Sequence, residues 1–317
     1  MTAPDEIRAA MARKAVSLRE MARRTHYDPA YISRALRGQQ RASESLLRAL
    51  AEALELTEED ERIAYMAAHP TRTDSTAVQA LADALAAQRR ADDVVGPVPL
   101  IGAAEAQREA LLTMLRETRG DQRNLLCGVV SEAAQFAGWL NIQVGDYTRA
   151  NALLSEAVEL ADDIGDSALV AQAYNLKGNI ARQKKQWRAV HRNFVAAYVS
   201  ADALRQKVVN GAQATSALAE LGRRKEAEKM LAEVEALRDK AADADDVPGT
   251  AYWLTAEWLS MPLGHVYLAL DRHDQAVEHL RHGLDSLPPG HRHALWTREA
   301  WAALEEAEAG EKRPKCS

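Results

Sequence analysis

Apolar residues recur at every third or fourth position along most of the chain, and polar, glycine- or proline-containing segments separate the runs. Leu46, Leu47, Leu50 and Leu54 form one such run, whose side chains fall on a single face of a helix. Ala, Leu, Arg and Glu, which are strong helix formers, are abundant, whereas runs of β-branched residues are scarce. The pattern predicts an all-α protein.

Residues 17 to 38, SLREMARRTHYDPAYISRALRG, contain the start signals of two short helices. Ser17 and Glu20 form a capping box, in which each side chain satisfies an orphan backbone N–H at a helix start. Asp28 followed by Pro29 repeats the signal, because Asp accepts from first-turn amides and Pro at the first position loses no helical bond. One helix is therefore predicted from about Leu18 and a second from Pro29.

The predicted helices are joined by a tight turn at residues 25 to 27, and Gly38 supplies the left-handed conformation that commonly ends a helix. Met21 on the first helix and Ile32 with Leu36 on the second can face each other. The opposite face of the second helix is small and basic, which suits a nucleic-acid groove better than a protein core. Its residues are Ala30, Tyr31, Ser33, Arg34 and Arg37. Two helices that merely pack together are the alternative interpretation.

Further helices flank this pair. Ile7 and Met11 indicate one before it, Ser43 caps the leucine-rich run after it, and Thr57 with Asp60 starts a fifth helix.

Residues 5 to 68 resemble the lambda-repressor/Cro-like (XRE) helix-turn-helix family, on the runs V-S-L-R-E-M-A and D-P-A-Y-I-S-R-A-L-R-G. The resemblance implies a five-helix DNA-binding domain over residues 1–69, whose second quoted helix enters the major groove while the first crosses the phosphate backbone. The side chains that it directs toward the bases are Pro29, Ala30, Ser33 and Arg34. The full DNA-contacting set is Ser17, Arg19, Pro29, Ala30, Tyr31, Ser33, Arg34, Arg37, Gln39 and Arg41.

Two positions depart from the family pattern: Leu18 stands where the family often has Gln, and His26 where it often has Gly. Leu18 removes one DNA-contacting amide. Because Pro29 and Ala30 carry no hydrogen-bonding side chain, direct readout rests mainly on Arg34, and specificity draws also on DNA shape.

The charge distribution confines nucleic-acid contacts to the N-terminal region. Residues 1–56 carry ten Lys and Arg against seven Asp and Glu, within a chain of net charge −6. The first 56 residues are therefore about +3 and the remainder about −9. A polyanion would be attracted by the first part and repelled by the second.

After His69-Pro70 the sequence predicts a linker with one helix at residues 70–102, a repeat region at 103–310 and a charged tail at 311–317. Three segments of the repeat region, GWLNIQVGDYTRANALLSEA, GNIARQKKQWRAVHRNFVAA and GHVYLALDRHDQAVEHLRHG, superimpose without gaps. A fourth and weaker copy, LAELGRRKEAEKMLAEV, is centred on Ala227. The positions that align are Gly138, Gly178 and Gly264; Tyr147, Trp187 and His273; Ala150, Val190 and Ala276; and Leu154, Phe194 and Leu280.

The repeats resemble a degenerate tetratricopeptide repeat, whose Gly, aromatic and Ala positions lie where two antiparallel helices cross closely. The central small residues are 40, 37 and 49 residues apart, longer than the usual repeat of about 34, so longer helices or loops such as 243–250 must absorb the excess. The resemblance implies a tetratricopeptide-like α-solenoid with a concave face lined by the first helix of each pair.

Placing the repeat pattern on the sequence gives a set of ligand-binding candidates on that face. Asn175 and Asn179 lead it, because a side-chain amide can both donate to and accept from a ligand backbone or carboxylate. A solvated or inter-helix Asn, and tryptophans that belong to the core, are the alternatives. The candidates are Gln135, Trp139, Gln172, Asn175, Asn179, Arg182, Trp258 and His265.

Several other classes of protein find little support. The 317 residues suit about two domains, and the N-terminal stretch lacks the apolar core of a signal peptide, so a cytoplasmic protein with no membrane contact is expected. Cys127 and Cys316 form neither a metal-ligand pattern nor a disulfide framework, and His279 with His282 lacks completing ligands. No catalytic motif is present, so neither an enzyme nor a cofactor is expected.

The leading hypothesis is a transcriptional regulator that binds a double-stranded DNA operator as a homodimer. Its repeat region would sense a ligand, mediate dimerisation, or both. A helix-turn-helix domain followed by a solenoid resembles the architecture of peptide-sensing regulators of Gram-positive bacteria. By this analogy the expected effector is a signalling peptide, and a small molecule or another protein is the alternative effector. The alternative is a tetratricopeptide scaffold that mediates protein–protein interactions without binding DNA.

Overall fold

The computed structural model describes residues 4–14, 16–54, 75–241, 254–292 and 294–311. These residues form an all-α fold, and no strand occurs among them. The first four helices are α1 (Pro4–Arg13), α2 (Leu18–Thr25), α3 (Pro29–Leu36) and α4 (Glu44–Ala53). The next are α5 (Ser75–Val95), α6 (Ile101–Glu117), α7 (Asp121–Gln143), α8 (Tyr147–Asp163), α9 (Ser167–Gln183) and α10 (Trp187–Ser200). The last are α11 (Leu204–Glu220), α12 (Arg224–Ala241), α13 (Ser260–Ala269), α14 (His273–Ser286), a 3₁₀ turn (Leu295–Thr297) and α15 (Arg298–Glu311).

The chain divides into two compact units. The first comprises residues 1–82 and 116–122, and the second comprises residues 83–115 and 123–317. The sequence predicted one helix in the linker at residues 70–102. That helix is α5, and the boundary between the two observed units, at residues 82 and 83, falls within it. The fifth helix predicted from Thr57, the loop at 243–250 and the charged tail from residue 312 onward lie outside the described residues.

The predicted caps of the helix-turn-helix pair are confirmed. The Ser17 hydroxyl accepts from the Glu20 amide (3.2 Å), Asp28 accepts from the Tyr31 amide (2.9 Å), and Pro29 is the first residue of α3. His26 ends α2 in the left-handed region, with φ at 58°. That backbone conformation is the physical reason why glycine suits this position, and His26 adopts it without glycine's freedom.

The helices of the first unit enclose one apolar core. The core residues from α1 to α4 that are fully buried include Ile7, Met21, Ile32, Leu46 and Leu50. Met21 and Ile32, which were expected to face each other across the turn, are both fully buried in this one core. Side chains of this size contribute roughly 1.5–3 kcal/mol each on burial, so the core fixes how α2 and α3 cross.

Helix pairs make up the second unit, as the repeat pattern predicts. Short turns join successive helices at Gly145, between α9 and α10, at Gly222, and between α13 and α14. Gly145 and Gly222 have positive φ. A Cβ placed on Gly178 would lie 2.6 Å from the ring of Phe194, and one on Gly264 would lie 2.5 Å from Leu280. Each of these aligned glycines therefore lies where two helices cross closely, in contact with the side chain sixteen positions later. A side chain at the glycine would prevent this close approach.

The excess repeat length is absorbed partly by long helices. α8 and α9, which lie between Ala150 and Val190, have 17 residues each, and α12, which begins the longest spacing, has 18. Ala227, the predicted centre of the weakest copy, is fully buried on α12, as a residue at a helix crossing is expected to be.

One helix among the described residues, Asp121–Gln143, is long and apolar enough to cross a membrane by length and composition, a result that the sequence analysis did not anticipate. Its apolar window is 78% buried inside the molecule. The core helix of a soluble domain meets the same criteria, so this helix is weak evidence for a membrane span.

Candidate functional site

The helix α3 presents two contrasting faces. Ile32 and Leu36 are buried against the core of the first unit, whereas Ala30, Arg34 and Arg37 are exposed on other sides of the helix. Pro29 is exposed at the first position of the helix, and Ser33 is partly exposed. An exposed face of small and basic residues held by a buried opposite face is the geometry that a groove-reading helix requires.

Arg34 is positioned by a residue beyond the end of its own helix. Its Nε donates to the Gln40 side-chain oxygen at 3.1 Å, and the Gln40 amide donates to the Arg34 carbonyl oxygen at 3.3 Å. Gly38, with φ at 70°, reverses the chain between them. Gln40 was not identified from the sequence, because the six-residue separation from Arg34 matches no helical spacing.

Tyr31 differs from the sequence expectation of an outward-facing reader. Its ring is half-buried against the core of the first unit and lies 6.2 Å from the Tyr27 ring, centroid to centroid. Its hydroxyl bonds the Ser43 hydroxyl at 3.4 Å, and the Ser43 hydroxyl also caps α4 by accepting from the Leu46 amide. Tyr31 thus connects α3 to the start of α4.

Glu20 binds two of the arginines on α2. Its carboxylate pairs with Arg23 at 2.6 Å and with Arg24 at 2.8 Å, and Arg24 also donates to the carbonyl oxygen of Ala53 at 3.2 Å. Hydrogen bonds from Arg23 and then from Arg24 lower the pKa of Glu20 to about 2. These arginines therefore carry a compensated charge, which the i,i+3 and i,i+4 spacing could have indicated.

Four other exposed arginines lie in α2, at the end of α3 and in the segment that follows it. Among the described residues, the guanidinium groups of Arg19, Arg34, Arg37 and Arg41 form no ion pair with a carboxylate. Ser17, just before α2, and Gln39, after the end of α3, are exposed as well. Uncompensated cations are available to phosphates, and their counterion release makes binding salt-dependent.

In the second unit, the ligand candidates separate into buried and accessible residues. Gln135 is 1% exposed, and its amide donates to the Leu169 carbonyl oxygen at 3.1 Å. It is therefore part of the core, contrary to its expected place on an accessible face. Trp258 is partly buried against the core of the last helix pairs.

Trp139 is half-buried and its polar group is already bonded. The indole Nε1 donates to Asp92 on α5 at 2.9 Å, and the Gln143 amide donates to the same oxygen at 2.9 Å. Burial raises the pKa of Asp92, while these two hydrogen bonds oppose the shift. The interaction ties α5 to α7 within the second unit.

The remaining candidates lie on α9 and α13. Asn175 donates to Asn210 on α11 at 2.7 Å, and Arg182 donates to Gln213 on α11 at 3.1 Å. Arg182 also pairs with Glu299 on α15 at 2.7 Å. Burial, and secondarily the charge of Arg182, lower the pKa of His265 to about 3, so its imidazole is neutral near pH 7. Gln172 and Asn179, both partly exposed, complete the set on α9.

Asn210, Gln213 and Glu299 were not identified from the sequence. Asn210 is 1% exposed, and Glu299 lies 117 residues from Arg182 along the chain. Contacts between helices that are distant in sequence follow from how the helices pack and leave no local pattern.

Comparison with known proteins identifies the N-terminal region. A search of the curated proteins finds no match for the chain. Residues 5–63 match the family model described as a helix-turn-helix domain, and this range contains the capped pair α2 and α3. The chain therefore carries an N-terminal helix-turn-helix domain, which supports a DNA-binding regulator.

Proposed function

We propose that the protein is an XRE-type transcriptional regulator that reads operator DNA with α3. The observation that carries the proposal is the exposed small and basic face of α3 within a helix-turn-helix domain. Arg34 would contact base edges in the major groove, where a guanidinium suits the two acceptors of guanine. Arg37, at the end of α3, would contact the phosphate backbone.

The test is DNA binding by the full chain. Sites are selected from a random duplex library, and affinity for the selected site is compared with affinity for a scrambled duplex over a range of salt concentrations. The proposal expects tighter binding to the selected site and a salt-dependent affinity for both duplexes. Absence of both would favour the scaffold function, in which the helical repeats organise other proteins.

We expect the protein to act as a cytoplasmic homodimer. One helix-turn-helix domain offers a single groove helix and few phosphate contacts, whereas two domains can read two half-sites on one face of the duplex. Light scattering should give twice the chain mass for the free protein, and two chains plus one duplex for the complex with DNA. A monomer in both states would contradict this prediction.

Replacing Arg37 with Ala should weaken binding to selected and scrambled duplexes alike. Because a phosphate contact releases counterions, the slope of log affinity against log salt should fall by about 1. Fluorescence anisotropy titrations at several salt concentrations measure that slope. An unchanged slope would remove Arg37 from the interface, and the matched variant Arg23→Ala, whose charge Glu20 compensates, should change it less.

For the repeat region we propose a tetratricopeptide-like body that senses a ligand, mediates dimerisation, or both. The helix pairs, the glycine crossings and the amide-rich residues of α9 support this role. Calorimetry with a captured ligand tests sensing, and the oligomeric state of a chain that lacks residues 1–74 tests dimerisation. A peptide is the effector suggested by the architecture.

A further inference from the structure

A basic surface lies at the start of α10, within an otherwise acidic part of the chain. No Asp or Glu occurs between Asp166 and Asp202, and the segment between them carries six Lys and Arg. Residues 57–317 are about −9 in total, so without the +6 of this segment they are about −15. Four of the six cations are exposed at the turn before α10 or in its first half. They are called the α10 basic surface: Lys184, Lys185, Arg188 and Arg192.

The cations of the α10 basic surface have no carboxylate partner. Among the described residues none of the four forms an ion pair, and the Lys184 Nζ lies 5.0 Å from the centroid of the Tyr147 ring instead. Burial raises the pKa of Glu220, and the charge of Lys185 opposes that shift without a direct contact. The positive charge of this surface is therefore available to another molecule.

The start of α12, which lies near α10, is neutralised by its own carboxylates. Arg223 pairs with Glu226 at 2.6 Å, and Arg224 lies 3.4 Å from Glu228. Burial, and secondarily the charge of Arg223, lower the pKa of His191 on α10, so this imidazole adds no charge near pH 7. The α10 basic surface differs from its neighbour in lacking such carboxylates.

One face of α10 carries cations first and apolar side chains afterwards. Arg188, Arg192, Val195 and Val199 follow one another at intervals of four, three and four residues, so they share a face of the helix that is about 16 Å long. Val199 is 73% exposed, whereas Phe194 on the opposite face is buried. A partner on this face would meet positive charge at one end and an exposed aliphatic side chain at the other.

The cations at the beginning of α10 do not stabilise the helix. The Gln186 side chain forms no cap hydrogen bond, and the first turn contains no carboxylate. Lys185 and Arg188 lie at the positive end of the helix dipole, where cations are unfavourable. A carboxylate brought by a partner would remove this repulsion.

We propose that α10 docks an acidic protein segment, whose carboxylates pair with the α10 basic surface and whose aliphatic side chain covers Val199. A partner helix with carboxylates one turn apart and an aliphatic residue two turns farther along matches this face. The surface is separate from the ligand candidates, which lie on α7, α9 and α13. It adds a protein partner to the operator and the effector proposed above.

Two observations favour a protein over a nucleic acid at this surface. A phosphate backbone offers no apolar contact to the exposed Val199. The negative charge of the other residues from 57 onward repels a long polyanion. A short acidic segment instead lies within a Debye length of the four cations, about 8–10 Å at moderate salt.

Anisotropy titration of the full chain without DNA tests the proposal. The probes are labelled peptides in which glutamates one turn apart precede or follow two leucines, so that both chain directions are covered. Their controls carry glutamine in place of glutamate, or serine in place of leucine. At least one glutamate–leucine peptide should bind more tightly than both of its controls, and its affinity should fall as salt is raised.

Variants place the binding on α10. Arg188→Glu combined with Arg192→Glu should weaken peptide binding by roughly tenfold or more, because two attractions become repulsions. Lys225→Glu combined with Lys229→Glu is the matched control, since it makes the same charge change at the same spacing on exposed positions of α12 and should weaken binding less. Val199→Ser should weaken binding by about three- to tenfold.

The α10 double variant should keep the fold, because a carboxylate is favourable in the first turn of a helix. Its thermal unfolding midpoint should be unchanged or higher than that of the natural chain. This readout separates a lost contact from a lost structure.

Four results would overturn the proposal. Two concern the peptides: binding no tighter than that of the glutamine controls, or an α10 double variant that binds no more weakly than the α12 double variant. A larger loss of affinity for a scrambled DNA duplex than for the peptide would assign the surface to DNA, and conversion of a dimer to a monomer by the α10 double variant would assign it to a second copy. All variants keep α3 intact, so these results leave operator reading by Arg34 and Arg37 untouched.

Discussion

Replacing Phe194 with Ala is expected to lower the free energy of unfolding by roughly 3–5 kcal/mol, the range for a large aromatic removed from a packed core. Phe194 is 1% exposed on α10, and its ring fills the space left by Gly178 on α9. The midpoint of thermal unfolding should fall on the order of 10 °C. Val199→Ala is the matched control on the same helix, because Val199 is 73% exposed and its loss should change stability little.

A double-mutant cycle tests the crossing itself. Gly178→Ala alone should cost roughly 1–3 kcal/mol, because its Cβ would lie 2.6 Å from the Phe194 ring. When Phe194 is also Ala, the space is open, and the added Cβ should cost nothing or stabilise α9 through helix propensity. Additive effects of the two substitutions would show that the ring and the glycine do not share this space.

The sequence predicted the features that short-range chemistry controls. The caps Ser17, Asp28 and Ser43 act over three residues, so the bounds of α2, α3 and α4 could be predicted closely. The repeat glycines could be located because each copy repeats the same crossing, and Gly178 and Gly264 both contact the residue sixteen positions later. Local signals and internal repetition thus give most of the fold.

The side-chain environment of the sites could not be predicted in the same way. The pattern placed Gln135 on an accessible face, but the packing of α7 against its neighbours buries it and directs its amide to a backbone carbonyl. It placed Tyr31 outward, but the chain reversal after α3 brings Ser43 to its hydroxyl. The pairing of Arg182 with Glu299 depends on how the last helix packs. A residue's position on a helix indicates its direction, whereas its partners come from tertiary packing.

Replacing Arg34 with Ala should weaken binding to a selected operator by about 1–3 kcal/mol, with a smaller loss on scrambled DNA. The reason is that Arg34 is exposed on α3, where a guanidinium can bond to base edges, and that its hydrogen bond to Gln40 reduces its conformational freedom before DNA arrives. Gln40→Ala should therefore reproduce part of the loss while keeping the charge.

Anisotropy titrations against both duplexes at one salt concentration measure the two losses. Arg23→Ala is the arginine control, since the charge of Arg23 is compensated by Glu20. Equal losses on the two duplexes would assign Arg34 to the phosphate backbone, and base readout would then have to come from Ser33 or from the shape of the DNA.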